Sequence, residues 1–239
     1  PCGAKLPIIA LIAGAFFGNA WWVAPSAYFV GIAAIVCSGI ILKKTHLFAG
    51  DPAPFVMELP AYHMPTLSNV LRSMWERGWS FIRKAGTVIL LSTIVIWFTS
   101  SYGFVDGSFM AVEDLNQSIM AAIGRSFAWI FAPLGFGDWR AATSLISGFT
   151  AKEAVISTMA VLLETNLSNL GGALSEIFTP LTAVSFLVFT LLYTPCVAAV
   201  ASIRRELGSK LQTLGVVLLQ CTVAWICALA VYQVGGLLL

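Results

Sequence analysis

Charge is what this sequence has least of. Thirteen Lys and Arg and eleven Asp and Glu make up 10% of its 239 residues, against about 25% in ordinary soluble domains. The formal net charge is only +2, which removes the strong field that a nucleic-acid-binding surface or an acidic partner would require. Histidine is almost missing too. His46 and His63 are the only two; prolines separate them and neither has a second His or Cys at ligand spacing, so they do not make a zinc site. No predicted span contains a histidine, which disfavours an intramembrane enzyme built on a histidine base. The strings Gly-x-Ser-x-Gly, Gly-Lys-Ser/Thr and His-Glu-x-x-His do not occur, so the hydrolase elbow, the phosphate-binding loop and the zinc-protease helix are all excluded. The five cysteines are odd in number, and Cys37, Cys196, Cys221 and Cys227 lie inside apolar runs, where they read as small hydrophobes rather than as a disulfide framework.

What fills the gap is apolar. Hydrophobic residues make up 59% of the chain and the mean hydropathy is +0.89, which places it in a bilayer as an all-α, polytopic helical membrane protein. Apolar runs at Leu6–Ala24, Ala27–Leu42, Ala85–Phe98, Ile119–Leu134, Ala141–Leu163, Leu181–Ile203 and Leu214–Leu239 predict about seven membrane segments. Residues 119–163 either cross twice or turn back as a re-entrant pair, since the charge pattern accommodates both. Lys5, Lys43, Lys44, Arg72, Arg77, Arg83, Lys84, Arg140, Arg204, Arg205 and Lys210 fall at alternate ends of these runs, whereas the connections Thr99–Ser118 and Glu164–Pro180 carry acidic residues and no Lys or Arg. The bias toward cytoplasmic positive charge then puts the N-terminus, the Lys43–Lys84 connection and the Arg204–Lys210 turn in the cytoplasm. Trp21, Trp22, Trp97 and Tyr102 fall at predicted outer ends, as interfacial anchors do.

The chain divides into three parts: residues 1–42, the end of one repeat with its following helix; 43–84, a proline-rich cytoplasmic connection; and 85–239, a second repeat with the C-terminal helices. In the connection, Thr66 can cap a helix whose Leu67, Val70, Leu71, Met74, Trp75 and Trp79 repeat at helical spacing. That pattern predicts an amphipathic interfacial helix feeding the next span. Glu58 and Tyr62, in Met57-Glu-Leu-Pro-Ala-Tyr-His-Met-Pro65, form either a coupling loop or a proline-stiffened surface connection.

Two strings carry candidate chemistry. A charge at membrane depth costs at least about 2.5–3.5 kcal/mol, so each marks a functional position. Lys152 and Glu153 are the clearest pair. If helix runs through them, Thr150, Glu153 and Ser157 share a face that would line a cation path, while Lys152 needs another partner. The bland alternative is an ion pair joining helices. The second string is Tyr193-Thr-Pro-Cys196, where Pro195 denies the carbonyl of Leu191 its helical partner and predicts a kink or an unwound turn. A freed carbonyl beside the Cys196 thiol is a plausible site for a late or soft metal ion, although kinking prolines and packed cysteines are also common in spanning helices. Pro1-Cys2-Gly-Ala-Lys5 repeats the Pro-Cys pair about 190 residues earlier, as duplicated halves would, although chance readily supplies a two-residue match as well.

Six strings in order resemble the C-terminal membrane portion of the ferrous iron transport protein B (FeoB) family. They are Pro1-Cys-Gly-Ala-Lys-Leu-Pro7; Pro54-Phe-Val-Met-Glu-Leu-Pro60 with Tyr62 and Pro65; Arg83-Lys-Ala-Gly-Thr-Val-Ile89; Leu134-Gly-Phe-Gly-Asp-Trp139; Gly148-Phe-Thr-Ala-Lys-Glu-Ala-Val155; and Leu192-Tyr-Thr-Pro-Cys-Val197 with Arg204, Arg205 and Glu206. The resemblance implies gate-type repeats like those of nucleoside transporters, in a bacterial or archaeal cytoplasmic (inner) membrane permease importing Fe²⁺ as substrate, with no tightly bound cofactor and no enzymatic step of its own. It implies Cys196, Glu153 and Cys2 as iron-path residues, leaving Cys37, Cys221 and Cys227 as packing. It also implies a GTP-binding domain on the same or a separate chain and small accessory Feo proteins as partners; a homo-oligomer is left open. Because the sequence opens on Pro-Cys-Gly rather than Met, it is expected to be the back part of a longer protein, without the first half of the first gate and so not competent alone. The alternatives are a nucleoside or other solute carrier of the same fold and a non-transporting membrane scaffold.

Overall fold

A computed structural model describes residues 2–18, 20–44, 66–105, 108–112 and 115–238. Glu58, Tyr62 and both histidines lie outside the described residues. After a short 3-10 turn at Gly3–Lys5 come helices α1 (Leu6–Phe17), α2 (Val23–Lys43) and α3 (Leu67–Ser101), a hairpin of β1 (Tyr102–Val105) and β2 (Ser108–Ala111), and helices α4 (Ile119–Phe131), α5 (Trp139–Thr150), α6 (Ala154–Leu162), α7 (Leu170–Ile177), α8 (Pro180–Leu192), α9 (Val197–Leu207) and α10 (Lys210–Leu238).

Among the described residues three stretches are long and apolar enough to cross a bilayer: Val23–Ile41, Pro180–Leu207 and Lys210–Leu237. Two expected segments come out shorter than a hydrocarbon core of about 30 Å. Leu6–Ala24 yields only the 12-residue α1, about 18 Å long at 1.5 Å per residue, because Gly18 adopts a left-handed conformation with φ 56° and ends the helix. Ala141–Leu163 is split between α5 and α6. Helix α4 with its following 3-10 turn meets α5 at a bend of 106°. The bend is built from Gly135, at φ 87°, and from Asp138, whose side chain accepts a 2.7 Å hydrogen bond from the Arg140 amide to start α5.

Helix α3 runs unbroken for 35 residues, joining the expected amphipathic helix to the expected span in one rod. Thr66 occupies its N-cap position in extended conformation, but its side chain makes no capping bond. The hairpin that follows was not anticipated in the acidic connection. Its register pairs Val105 with Ser108 and Tyr102 with Ala111. Phe98, Tyr102 and Phe109 stack at ring separations of 4.8–6.1 Å, fastening the hairpin to the end of α3.

The interior is small and aromatic. Helix α1 buries Ile8, Ile9 and Ile12, while α7 contributes Leu170 and Leu174. Phe131, Phe136, Phe186, Phe189 and Tyr193 form a chain of ring contacts from the α4–α5 bend to the end of α8. Helices α8 and α10 pack closely because Ala224 and Ala228, both 0% exposed, present small side chains one turn apart. Ser185 Oγ donates to the Ala228 carbonyl at 3.1 Å, and the Trp225 indole donates to the Ile130 carbonyl at 2.9 Å, tying α10 to α4. Outward faces carry the large apolar residues, including Phe29, Ile35, Ile41, Leu91, Leu218 and Ile226. That inversion suits lipid and not water.

Candidate functional site

Two helix breaks face each other. The first separates α5 from α6 at residues 151–153. Ala151 turns extended (φ −146°, ψ 129°), and Lys152 and Glu153 form a turn before α6 begins at Ala154. The second separates α8 from α9 at residues 193–196, where Tyr193 and Cys196 are both extended (ψ 166° and 162°) and flank Thr194-Pro195. The proline break read from the sequence is therefore present, and the chain unwinds there rather than merely kinking. The break at Lys152 corrects the expected shared helical face of Thr150, Glu153 and Ser157. Thr150 ends α5, Glu153 is the exposed N-cap of α6, and exposed Ser157 bonds back to the Ala154 carbonyl at 3.2 Å.

The physical reason lies in Lys152, which is 2% exposed. A buried ammonium group must find oxygen acceptors, and an unwound turn lets the side chain leave the α5 direction to reach them. Lys152 Nζ donates to the Thr194 carbonyl at 2.8 Å and sits 2.9 Å from the centroid of the Tyr193 ring, a cation–π contact. Tyr193 is held in turn by its hydroxyl, which donates to the Leu145 carbonyl at 3.3 Å, and by stacking on Phe189. Ser147 Oγ and Thr158 Oγ1 bond at 2.7 Å across the first break. Gly148 makes the approach feasible: a Cβ there would collide with the Val155 side chain and lie 2.8 Å from the Tyr193 hydroxyl oxygen.

Lys5 is the residue that sequence reasoning misplaced. Counted among cytoplasmic end charges, it is 8% exposed, and its Nζ donates to the Leu191 carbonyl at 2.5 Å. This is the carbonyl that Pro195 leaves without a helical partner. The N-terminal segment with Cys2 thus lies against the α8–α9 break. Cys2 and Cys196 occupy equivalent places in their own segments, each an extended N-cap before helical structure. Cys2 is exposed and Cys196 is half-buried. From α10, Gln220 Oε1 accepts a hydrogen bond from Thr194 Oγ1 at 3.5 Å; a glutamine in the middle of an apolar run was the available signal for this fourth wall. Among the described residues no group of three or more His, Cys, Asp and Glu side chains is placed to hold a metal ion.

Compared with known proteins, residues 24–77 match the family model described as "Ferrous iron transport protein B C terminus". Residues 82–210, more than half of the chain and including both breaks, match the Gate model, described as "Nucleoside recognition". The Fe(2+) transporter FeoB of Staphylococcus aureus (strain MSSA476) is 38% identical over 237 residues, 99% of this chain and 35% of the relative. That of Methanocaldococcus jannaschii is 37% identical over 242 residues, 99% of this chain and 36% of the relative. An "Fe(2+) transport protein A/Fe(2+) transporter FeoB fusion protein" of Porphyromonas gingivalis is 34% identical over 280 residues, covering 98% and 33%. The chain therefore spans about a third of the length of the curated relatives it matches. No solved structure matches it.

Proposed function

The chain belongs to the Gate family, and from that premise, with the FeoB-type match beside it, we propose that it is the membrane permease portion of a ferrous iron importer. The observation that carries the reading is the meeting of two unwound turns inside the Gate region, Lys152 of one bonded to the Thr194 carbonyl of the other. Unwound backbone at membrane depth is tolerated where it lines a cavity, and its carbonyls are cation ligands. Cys196 offers a thiol and Glu153 a carboxylate from the facing turns, and Cys2 supplies a second thiol from the N-terminal segment. Thr150, Lys152, Ser157, Tyr193 and Pro195 shape the passage between them. So few protein ligands, completed by carbonyls and water, hold a divalent ion weakly. Fe²⁺ stands low in the affinity order of first-row ions and must be released on the far side, so a loose mixed site suits its passage better than a closed thiolate cage.

In this reading the pair α4 and α5 turns back within the bilayer as a re-entrant hairpin, supported by its 106° bend and by two arms each shorter than the hydrocarbon core. The three-part division at 1–42, 43–84 and 85–239 is retained, with the Lys43 end of α2 and the Arg204–Lys210 turn facing the cytoplasm of a prokaryotic inner membrane, where Glu58 and Tyr62 would belong to the coupling loop. A GTP-binding domain on the same or a separate chain and an accessory protein of the Fe(2+) transport protein A type are the proposed partners; the fused relative supports the second. The Gate description keeps one other cargo in view, a nucleoside, for which the thiol would be dispensable.

Uptake of radiolabelled Fe²⁺ into cells expressing the full-length parent protein tests the assignment. Cys196→Ser and Glu153→Ala should each lower uptake severalfold at equal membrane abundance. Wild-type rates in both variants would refute the site, and uptake of nucleoside without Fe²⁺ would replace the cargo.

A further inference from the structure

Lys5 and Lys152 are two buried lysines, 8% and 2% exposed, and among the described residues the ion pair present is Arg72–Glu76 at the surface of α3, far from either in sequence. Neither lysine therefore answers a carboxylate across a described salt bridge. Each instead donates to a main-chain carbonyl at the α8–α9 break, Lys5 to Leu191 near the end of α8 and Lys152 to Thr194 in the unwound turn. Burying such a polar group is unfavourable unless it is hydrogen-bonded, so the carbonyl oxygens must offset it. Those oxygens attract ammonium for the same reason they would attract a partly dehydrated metal ion: each is a dipole with its negative end turned inward, freed from helical bonding by Pro195 or by the unwound turn.

Resting on the importer reading, we propose that Lys5 and Lys152 are tethered cations that occupy the carbonyl positions used by the translocating divalent ion, and that the ion enters by displacing them. The arrangement has the parts such a latch needs. Lysine is a compact charge on a flexible four-carbon stem. The stems start from different pieces of chain, Lys5 from the turn before α1 and Lys152 from the α5–α6 break. Holding both ammonium groups therefore ties the N-terminal segment and the first break to the second break, and releasing them unties all three. The latch selects for charge density, since a monovalent ion offers the carbonyls little more than the ammonium group already does, whereas a divalent ion competes on better terms. Opening and cargo recognition become one event, with the cargo paying for the release.

Full-length parent protein in liposomes tests this in two ways. Lys5→Met and Lys152→Met remove the competing cation while keeping a long stem. Each should lower the Fe²⁺ concentration for half-maximal uptake by about tenfold, as expected when one competing charged hydrogen bond is lost. An unchanged or higher value in a variant that stays folded and monodisperse would overturn the latch. The second measurement needs no variant. In wild-type protein, labelling of Lys5 and Lys152 by a small membrane-permeant acylating reagent, read by mass spectrometry against exposed Lys210, should be slow and should accelerate when Fe²⁺ is added anaerobically. Labelling that ignores Fe²⁺ while uptake proceeds overturns the latch and leaves the importer standing. Fe²⁺-dependent labelling without uptake keeps the latch and refutes the importer.

Discussion

Gly148 is the position where one methyl group should do the most damage. Its α-carbon lies where α5, α6 and the end of α8 converge, and an added Cβ would overlap the Val155 side chain and sit 2.8 Å from the Tyr193 hydroxyl oxygen. Val155 is 2% exposed and Tyr193 6%, so neither can swing into open space. Overpacking of this kind costs about 1–3 kcal/mol, and at about 2–4 °C per kcal/mol for a chain of this size the clash by itself is equivalent to roughly 2–12 °C of unfolding temperature in Gly148→Ala. Helical propensity works in the opposite direction, since alanine in place of glycine within a helix gains up to about 1 kcal/mol, so the net loss is smaller than the clash by up to that amount. Gly172, in α7 with nothing within 4 Å of its would-be Cβ, is the control, and Gly172→Ala should be neutral or stabilising. Val155→Ala in the Gly148→Ala background should recover part of the loss, giving a coupling energy of at least about 0.5 kcal/mol in a double-mutant cycle. The assay is thermal unfolding of the full-length protein in detergent, followed by Fe²⁺ uptake in liposomes. A Gly148→Ala protein that melts with wild type and shows no coupling to Val155 would refute the close approach of the two breaks, and with it the site built on that approach.

Two further outcomes follow from the packing of α10. Ala228→Leu, at a fully buried contact with α8, should destabilise by about 1–3 kcal/mol through overpacking, while Ile226→Leu on the exposed face of the same helix should stay within about 0.5 kcal/mol; unfolding in detergent measures both. Trp225→Phe deletes the 2.9 Å bond to the Ile130 carbonyl and should cost about 0.5–1.5 kcal/mol, read as a matching drop in unfolding temperature and faster proteolysis between α9 and α10.

Much of the architecture was legible because membrane insertion is written in composition. Apolar runs located α2, α3, α8 and α10, and Pro195 announced the unwound turn, since a residue without an amide hydrogen removes a helical bond whatever surrounds it. Lys152 announced itself as a charge in an apolar run that lacked a neighbouring partner on its own helix. The errors have a common cause. Lys5 read as a cytoplasmic end charge because local sequence places it beside an apolar run, and only the fold brings it to a carbonyl 186 residues away. The stripe of Thr150, Glu153 and Ser157 assumed a helix through Ala151, where periodicity is unbroken but a buried ammonium group needed an acceptor on another element. The hairpin between α3 and α4 has two strands of only four residues each, too short for alternation to stand out in an acidic connection.

By itself, then, the sequence determined the solvent, the helical class, the family resemblance and the chemical types available at the site, because each depends on residue identity within a turn or two of chain. Tertiary structure alone decided which carbonyl each buried lysine answers, that Glu153 is exposed while Lys152 is buried, and that Gly148 must lack a side chain. Those are contacts between residues distant in sequence, and no local energy distinguishes a lysine bound for the membrane surface from one destined for an unwound turn in the interior.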